Sequence, residues 1–275
     1  MSDKTFFDYS ALIVKNLGIR MTAGKKIMLE SRLAKRLRAL GIDSFEEYFH
    51  YLQSTGGKAR EFNNFINLVT TNKTDFFREP MHFNHLVNMV LPDLLGRKEK
   101  TGKPIKVWSV ACSSGEEPYT LAMVLEDYLT DRKVVSYSIL ATDISTKVLA
   151  AAKLGIYEED RLETVPPYFK RRFFLRSRDR SSSKVRVVPE LRAKVACRWL
   201  NLMHDDYGIK QKMDIIFCRN VMIYFERRTQ DAIIRNICRQ LEREGYLFMG
   251  NSEALPNFSR FRLVQVAPTI YQKEA

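Results

Sequence analysis

The sequence predicts an α/β protein in which a mainly parallel sheet, carrying a small basic β insertion, follows an all-helical N-terminal domain. Apolar residues recur at helical spacing in the first ninety residues, and short β-rich runs then alternate with helical segments. Such alternation is typical of a parallel sheet with helices on both faces. We therefore expect a helical domain at 1–90, a linker at 91–103 and an α/β domain at 104–275, with the insertion at about 168–198.

Helices are predicted in the N-terminal part at 25–40, at 45–53 and around 62–69. The first carries an apolar stripe with spacings of four and three residues, formed by Leu29, Leu33, Leu37 and Leu40. Gly41 is expected to end this helix, and either Asp43 or Ser44 can cap the next one. The segment 54–57 contains two glycines and predicts a turn before the third helix.

The predicted linker is rich in charge and glycine, especially at 96–104. Strands are predicted after it at 105–111, 136–141, 213–218 and 246–249, with helices at 117–129, 145–154 and 229–241. The runs 261–266 and 269–272 predict an antiparallel hairpin that closes the sheet.

The alternation of strand and helix breaks at 168–198. This stretch holds eleven basic residues against Asp179 and Glu190, and 178–183 forms an obvious loop without glycine. The run 184–188 alternates like an edge strand. We interpret the stretch as a small basic β insertion.

The bulk composition predicts a globular cytoplasmic protein. Hydrophobic residues make up 45% of the chain, no apolar run reaches the roughly 20 residues that span a bilayer, and the first residues lack an apolar signal segment. The scattered cysteines are Cys112, Cys197, Cys218 and Cys238, and their spacing predicts no metal site. The net charge of +13 would attract polyanions such as nucleic acid, anionic lipid or acidic protein surfaces. The charge does not choose among them, and a basic soluble enzyme without such a partner is an equal alternative.

The first predicted strand ends in a loop of small residues at 111–115, which lets a ligand approach the backbone closely. The loop has a single glycine, so it is not the GxGxxG pattern that binds a pyrophosphate, and it disfavours NAD or FAD. Glu116 and Glu117 follow the loop and suit a cationic group such as the amino group of a methionine moiety.

Asp143 follows the second strand, at the position where nucleoside-binding sheets hold ribose hydroxyls. The alternative is that Asp143 only caps the helix that begins near Ser145. The loop and the acid together point to adenosine without phosphates, and therefore to S-adenosylmethionine.

Five segments resemble, in order, the motifs of the CheR family of chemotaxis receptor methyltransferases. They are 70–79 (TTNKTDFFRE), 108–119 (WSVACSSGEEPY), 141–144 (ATDI), 218–225 (CRNVMIYF) and 248–253 (FMGNSE). The resemblance covers essentially the whole chain and implies a Rossmann-like S-adenosylmethionine-dependent methyltransferase fold. It also implies transfer of methyl groups to glutamate carboxylates of methyl-accepting chemotaxis receptors, with no metal.

The resemblance assigns cofactor contacts to Asn72, Thr74, Arg78, Glu117, Asp143, Asn201, Leu202, Arg219 and Asn220. Within this set, Glu117 would bind the methionine amino group, although Glu116 stays open as the ligand, and Asp143 would hold the ribose. Asn201 and Leu202 would flank the adenine, and Arg219 would either contact the cofactor or neutralise acids at the end of the third strand. Asn251 departs from the family, which often has His there.

Arg78 and Tyr224 are the expected catalytic residues. A guanidinium can hold a substrate carboxylate in two places, and Tyr224 could donate a hydrogen bond beside it. A glutamate side chain, with a pKa of about 4.3, is ionised at neutral pH, so no general base is needed. The alternatives are an ordinary ion pair of Arg78 with Glu79 or another acid, and a core-facing aromatic role for Tyr224.

Acidic receptor helices are the expected partners of the basic helix at 25–40 and of the insertion at 168–198. In some family members the insertion also binds a C-terminal receptor tail by strand addition. We expect a monomer with no nucleic-acid partner and no membrane insertion.

The sequence leaves two other functions as alternatives. A nucleic-acid methyltransferase would suit the charge, but the segment 219–222 lacks the Asn/Asp-Pro-Pro-aromatic motif that holds a flipped base. A non-catalytic module that binds S-adenosylmethionine would keep the pocket but lose the reactive residues Arg78, Asp143 and Tyr224, all of which are present.

Overall fold

The computed structural model describes residues 1–100, 102–130, 132, 135–179 and 181–275. The N-terminal part consists of helices α1 (Asp3–Leu17), α2 (Lys26–Leu40), α3 (Phe45–Gln53) and α4 (Thr55–Val69), followed by α5 (Pro80–His85), a π-helical turn (Leu86–Val90) and α6 (Leu91–Lys98). The helical character expected for this half is confirmed. Among the described residues, none of the helices combines the length and the apolar character needed to cross a bilayer.

Local capping explains where the N-terminal helices begin and end. Ser44 accepts a hydrogen bond from the backbone of Glu47 at the start of α3, and Gly41 ends α2 in the left-handed conformation with φ of 66°. The turn predicted at 54–57 is wrong, because Ser54 accepts a hydrogen bond from the Gly57 amide and starts α4 there. The apolar faces of α1 to α4 bury one another in a separate hydrophobic core.

The second half alternates strands with helices. Its strands are β1 (Ile105–Val110), β2 (Tyr137–Asp143), β3 (Ile156–Glu158), β4 (Phe174–Arg176), β5 (Lys184–Val187), β6 (Val195–Trp199), β7 (Met213–Cys218), β8 (Leu241–Met249), β9 (Leu263–Ala267) and β10 (Ile270–Lys273). Its helices are α7 (Glu116–Leu129), α8 (Thr146–Leu154), α9 (Pro167–Phe173), α10 (Pro189–Lys194) and α11 (Arg227–Gln240).

The main sheet has seven strands in the order β6-β2-β1-β7-β8-β10-β9. Strands β6, β2, β1, β7 and β8 pair in parallel, while β10 runs antiparallel to both β8 and β9. This confirms the mainly parallel sheet and its closing hairpin. In the register, Val110 of β1 lies opposite Thr142 and Cys218, so the carboxyl ends of β2, β1 and β7 meet at one edge.

The predicted linker at 91–103 is wrong over most of its length, because residues 91–98 form α6. Leu91, Leu94 and Leu95 share one face of this helix and are buried in the same core as Ile105 of β1. Of the charged residues that suggested a linker, Arg97 and Lys98 end this helix and form ion pairs with Asp93, Glu244 and Asp214.

The insertion begins earlier and ends sooner than the expected 168–198. Its three-stranded sheet has the order β3-β5-β4, so it starts near Ile156 and β5 is its central strand rather than an edge. The segment 195–199 belongs to the main sheet, where β6 pairs in parallel with β2. The very short strands β3 and β4 carry too little alternation to be recognised. Of the predicted loop at 178–183, Arg180 lies outside the described residues.

A buried ion pair holds the N-terminal helices together. Glu61, only 2% exposed, accepts hydrogen bonds from Arg36 Nε at 2.7 Å, Arg36 Nη2 at 2.6 Å and the Tyr48 hydroxyl at 2.9 Å. These contacts connect α2, α3 and α4. Removing the arginine would leave a buried carboxylate without its charge partner.

We expect Arg36→Ala to lower the free energy of unfolding by about 2–3 kcal/mol, measured by urea denaturation, because Glu61 stays buried and uncompensated. The exposed Arg38 on the same helix supplies the control. Arg38→Ala should change stability by no more than about 0.5 kcal/mol. Equal losses in the two variants would mean that the ion pair contributes nothing specific.

Candidate active site

A pocket lies between the N-terminal helices and the carboxyl ends of β1, β2 and β7. All the residues expected to form the site line this pocket: Asn72, Thr74, Arg78, Glu117, Asp143, Asn201, Leu202, Arg219, Asn220 and Tyr224. The structure therefore brings together residues that are up to 152 positions apart in the chain, from 72 to 224. Their individual roles remain predictions.

The loop after β1 has an unusual backbone that opens space for a ligand. Ala111, Ser113 and Gly115 have φ values of 53°, 49° and 101°, all in the left-handed region. Gly115 is also required by packing, because an added Cβ would lie 2.9 Å from the hydroxyl of Tyr157 and 3.0 Å from the Cβ of Ala152. The loop therefore connects β1 to the start of α7 through residues with small side chains.

Asp143 is held at the pocket floor by backbone amides. One carboxylate oxygen accepts from Ser113 N at 2.9 Å, and the other accepts from Ser145 N at 2.9 Å. Burial raises the pKa of Asp143, and these hydrogen bonds oppose the rise. The alternative interpretation of Asp143 as the cap of α8 is wrong, because the Ser145 side chain makes that cap. Each carboxylate oxygen keeps capacity to accept from a ligand hydroxyl.

The two neighbouring glutamates face different surroundings. Glu116 bonds to Ser114 Oγ at 2.7 Å and to Arg161 Nη2 at 2.8 Å, outside the pocket lining. Glu117 lines the pocket, accepts from Ser109 Oγ at 2.7 Å and lies 3.5 Å from Arg219 Nε. Burial raises the pKa of Glu117, and the charge of Arg219 partly opposes the rise. Between the two, the geometry favours Glu117 as a ligand for a cation.

Arg219 is a buried cation at the end of β7. Its Nη2 donates to the carbonyl of Arg78 at 2.5 Å and lies 3.6 Å from Glu79 Oε2. Its guanidinium also lies 5.5 Å from the ring centre of Phe83. Its Nη1 makes no hydrogen bond to any described residue. Because Nε and Nη1 are buried, this cation depends on Glu79, Glu117 and the Arg78 carbonyl for compensation.

Asn220 and Glu253 shape the turn after β7. Asn220 has a left-handed φ of 57°, and its backbone amide donates to Glu253 Oε2 at 2.5 Å. The buried Glu253 carboxylate also accepts from the amides of Gly250 at 3.0 Å and Ile223 at 3.2 Å. It therefore connects the turn after β7 to the turn after β8. Burial raises the pKa of Glu253, with the backbone amides opposing the rise.

Glu79, just before α5, connects the segment 70–79 to the turns after β7 and β8. Its carboxylate accepts from Asn220 Nδ2 at 3.0 Å and from Asn251 N at 3.2 Å. The alternative pairing of Glu79 with Arg78 is wrong, because Glu79 faces Arg219 instead. Glu79 and Glu253 were not predicted as site residues, although both lie in the recognised motifs. Nothing in the sequence pattern marks either carboxylate as a bridge between distant segments.

The Arg78 guanidinium remains available for an anion. Its Nη1 donates to the carbonyl of Lys73 at 3.2 Å, and within the described chain no carboxylate lies at ion-pair distance from it. Tyr224 is half-buried at the pocket wall, with Lys25 Nζ 5.9 Å from its ring centre. Its neighbour Phe225 is the residue that packs into the core.

Asn201 and Leu202 lie where the N-terminal domain meets the sheet. Asn201 Nδ2 donates to the carbonyl of Asn16 at 2.8 Å, and its Oδ1 accepts from Met203 N at 3.0 Å. Leu202 belongs to the core beneath β7. Across the described ranges, no cluster of three or more His, Cys, Asp or Glu side chains is arranged to hold a metal ion.

His82 is a buried residue next to the site, beside Glu79. Its Nε2 lies 3.0 Å from Thr269 Oγ1 and its Nδ1 lies 3.4 Å from Glu79. Burial lowers the pKa of His82 to about 4, and the charge of Arg219 adds to the effect. The unfolded chain, with an ordinary histidine pKa of about 6.5, binds a proton that the folded protein excludes. The resulting stability is fully present above that value and is lost as the pH falls toward the folded pKa.

We expect the wild-type protein to lose about 2–3 kcal/mol more stability than His82→Gln between pH 7 and pH 4.5, because only the wild type must exclude this proton. Urea denaturation at a series of pH values measures the difference. His50 is exposed, so His50→Gln should follow the wild-type curve. Parallel curves for the wild type and His82→Gln would contradict a neutral buried histidine.

Comparison with known proteins identifies the family. The family model described as "CheR methyltransferase, SAM binding domain" matches residues 72–270, and the one described as "CheR methyltransferase, all-alpha domain" matches residues 4–70. The chain is 41% identical to chemotaxis protein methyltransferase 2 of Pseudomonas aeruginosa, covering 92% of this chain and 87% of that protein. It is 38% identical to the chemotaxis protein methyltransferases of Borreliella burgdorferi (95% of this chain, 91% of that protein) and Escherichia coli (98% and 91%). The chain therefore belongs to the CheR family of chemotaxis protein methyltransferases.

Proposed function

We propose that this protein transfers a methyl group from S-adenosylmethionine to glutamate carboxylates of methyl-accepting chemotaxis receptors, forming glutamate methyl esters. The observation that carries the proposal is the pocket itself. It combines a partly buried carboxylate for a cation (Glu117), a buried carboxylate for hydroxyls (Asp143) and an arginine without an acidic partner among the described residues (Arg78). Membership of the CheR methyltransferase family supports the same activity.

The residues that line the pocket fit S-adenosylmethionine. Glu117 would bind the α-amino group, and Asp143 would accept hydrogen bonds from the ribose hydroxyls. Asn201 and Leu202 would flank the adenine, and Arg219 would hold the Glu117 carboxylate beside the amino group. The remaining contacts are assigned to Asn72, Thr74 and Asn220. When bound, this cofactor supplies a sulfonium methyl group that is already activated for transfer.

Alignment of the nucleophile is the main task left to the protein. A receptor glutamate is ionised at neutral pH, so no side chain has to remove a proton from it. Arg78 would hold the carboxylate with two parallel hydrogen bonds, and Tyr224 would donate a further one beside it. Closure of the pocket around the reactants would exclude water. Orientation of this kind can contribute roughly 7–11 kcal/mol to a barrier reduction.

Positive surfaces beside the pocket suit an acidic receptor helix. Lys25 lines the pocket, and Lys35 and Arg38 are exposed on α2. Complementary charge would orient the helix and speed its encounter with the enzyme. In the insertion, β3 and β4 are the outer strands, and either could add a receptor tail as a further strand. We propose that the protein acts on these receptors as a cytoplasmic monomer.

Radiolabelled methyl transfer to membranes that contain receptors tests this function. The label should appear on a receptor band and be released by mild alkali, because carboxyl methyl esters hydrolyse whereas N-methyl and C-methyl groups do not. Label on nucleic acid would show a nucleic-acid methyltransferase. Cofactor binding without transfer to any receptor would show a regulatory module, and either result would overturn the proposal.

We expect Arg78→Ala to reduce methyl transfer by at least about a hundredfold, since two charge-assisted hydrogen bonds to the substrate carboxylate are lost. The variant should keep measurable affinity for S-adenosylhomocysteine in calorimetry. Arg235 is exposed on α11, and Arg235→Ala provides a control that should keep wild-type turnover. Normal turnover by Arg78→Ala would remove Arg78 from the reaction.

The raised pKa of Glu117 predicts pH-dependent cofactor binding. Protonation of Glu117 as the pH falls removes the charge that binds the amino group, and the loss begins at a higher pH than for a free glutamate. Wild-type affinity for S-adenosylhomocysteine should therefore fall as the pH is lowered from neutral, before a free glutamate would protonate. Glu117→Gln should bind about tenfold more weakly at neutral pH and show a flatter profile. Identical pH profiles would exclude Glu117 as the ligand.

A further inference from the structure

The β insertion, residues 156–194, forms hydrogen bonds to two segments that border the pocket. One is the loop after β1, and the other is the segment 74–78. Tyr157 donates from its hydroxyl to the carbonyl of Ser114 at 2.8 Å, in the loop after β1. Thr164 donates to the carbonyl of Phe76 at 2.6 Å, in the segment that leads to Arg78. The insertion thus contacts the pocket directly, in addition to presenting its own small sheet.

Arg161 is a cation of the insertion that contacts both of these segments. Its Nη2 donates to the carbonyl of Thr74 at 2.5 Å and to Glu116 Oε1 at 2.8 Å, while its Nη1 lies 3.3 Å from Asp75 Oδ1. Glu116 is 1% exposed, and its second oxygen accepts from Ser114. A single guanidinium therefore joins the 74–75 segment to the first turn of α7.

Two pocket residues depend on the segments that Arg161 joins. Thr74 lines the pocket, and its carbonyl is the group that Arg161 holds. Glu117 follows Glu116 in the chain, so the ion pair of Glu116 also fixes the start of α7. Arg161 itself does not line the pocket. Any influence it has on the ligand must act through these neighbours.

We propose that Arg161 is a positioning residue through which the β insertion sets the spacing between Thr74 and Glu117, and thereby the affinity for the cofactor. The inference rests on the proposed cofactor pocket. It adds a role for the insertion inside the reaction site, beyond its contacts with receptors. Because the contacts of Arg161 are charge-assisted, neutral replacements lose them, while another cation can restore part of the effect.

The matched control is Arg172, which also ties the insertion to α7. Its Nη1 donates to Asp127 Oδ1 at 2.5 Å, near the end of α7 that is remote from the pocket. Arg172→Ala therefore removes an arginine–aspartate contact between the same two elements without touching the pocket segments. A merely structural role for such contacts would affect both variants alike.

The test is calorimetric binding of S-adenosylhomocysteine to the full-length protein, with melting temperatures recorded alongside. Arg161→Ala should bind about tenfold more weakly, because Thr74 and Glu117 are no longer held at the spacing that the ligand requires. Arg161→Lys should recover part of the affinity. Guanidinium chloride at about 20 mM, far below unfolding concentrations, should restore affinity in Arg161→Ala alone. Arg172→Ala should bind as the wild type does.

Unchanged affinity in Arg161→Ala would overturn the proposal, as would equal losses of affinity in the Arg161 and Arg172 variants. Failure of guanidinium and of lysine to restore any binding would overturn it too. This test can fail independently of the proposed function, because binding of S-adenosylhomocysteine needs no receptor. Tight wild-type binding without receptor methylation would refute the substrate and leave the Arg161 test intact.

Discussion

The interaction on which the site depends is the buried charge cluster at the end of β7. Arg219 lies between Glu117 on α7 and Glu79 on the N-terminal segment, and it also holds the carbonyl of Arg78. A buried guanidinium is tolerated only when acids and acceptors surround it, so these elements must come together. The same cluster that satisfies the charge therefore brings the expected substrate-binding arginine to the cofactor side of the sheet.

The pocket is supported from two sides by polar contacts that span the chain. On one side Glu79 and Glu253 connect the segment 70–79 to the turns after β7 and β8. On the other, Arg161 of the insertion connects the same segment to α7. Glu79, Glu253 and Arg161 do not line the pocket themselves. Both supports act by fixing backbone atoms, and small displacements of reacting groups are costly in transfer reactions.

Much of this arrangement could be predicted from the sequence, because the carboxyl ends of parallel strands meet at one edge. That rule predicts that the 111–117 loop and Asp143 lie together, and the motif 70–79 adds Arg78. The sequence did not reveal α6 as a helix, since its charges resembled a linker, nor the short strands β3 and β4. Glu79 and Arg161 were missed because their partners are tertiary and have no local pattern.

The most direct test of a shared cofactor and substrate pocket is a crystal structure of the protein with S-adenosylhomocysteine. We expect the amino group within hydrogen-bond distance of Glu117, the ribose hydroxyls at Asp143 and the adenine between Asn201 and Leu202. The sulfur should face the space in front of Arg78 and Tyr224, where the receptor glutamate would enter. A ligand bound elsewhere, or with its sulfur turned away from Arg78, would contradict the proposed arrangement.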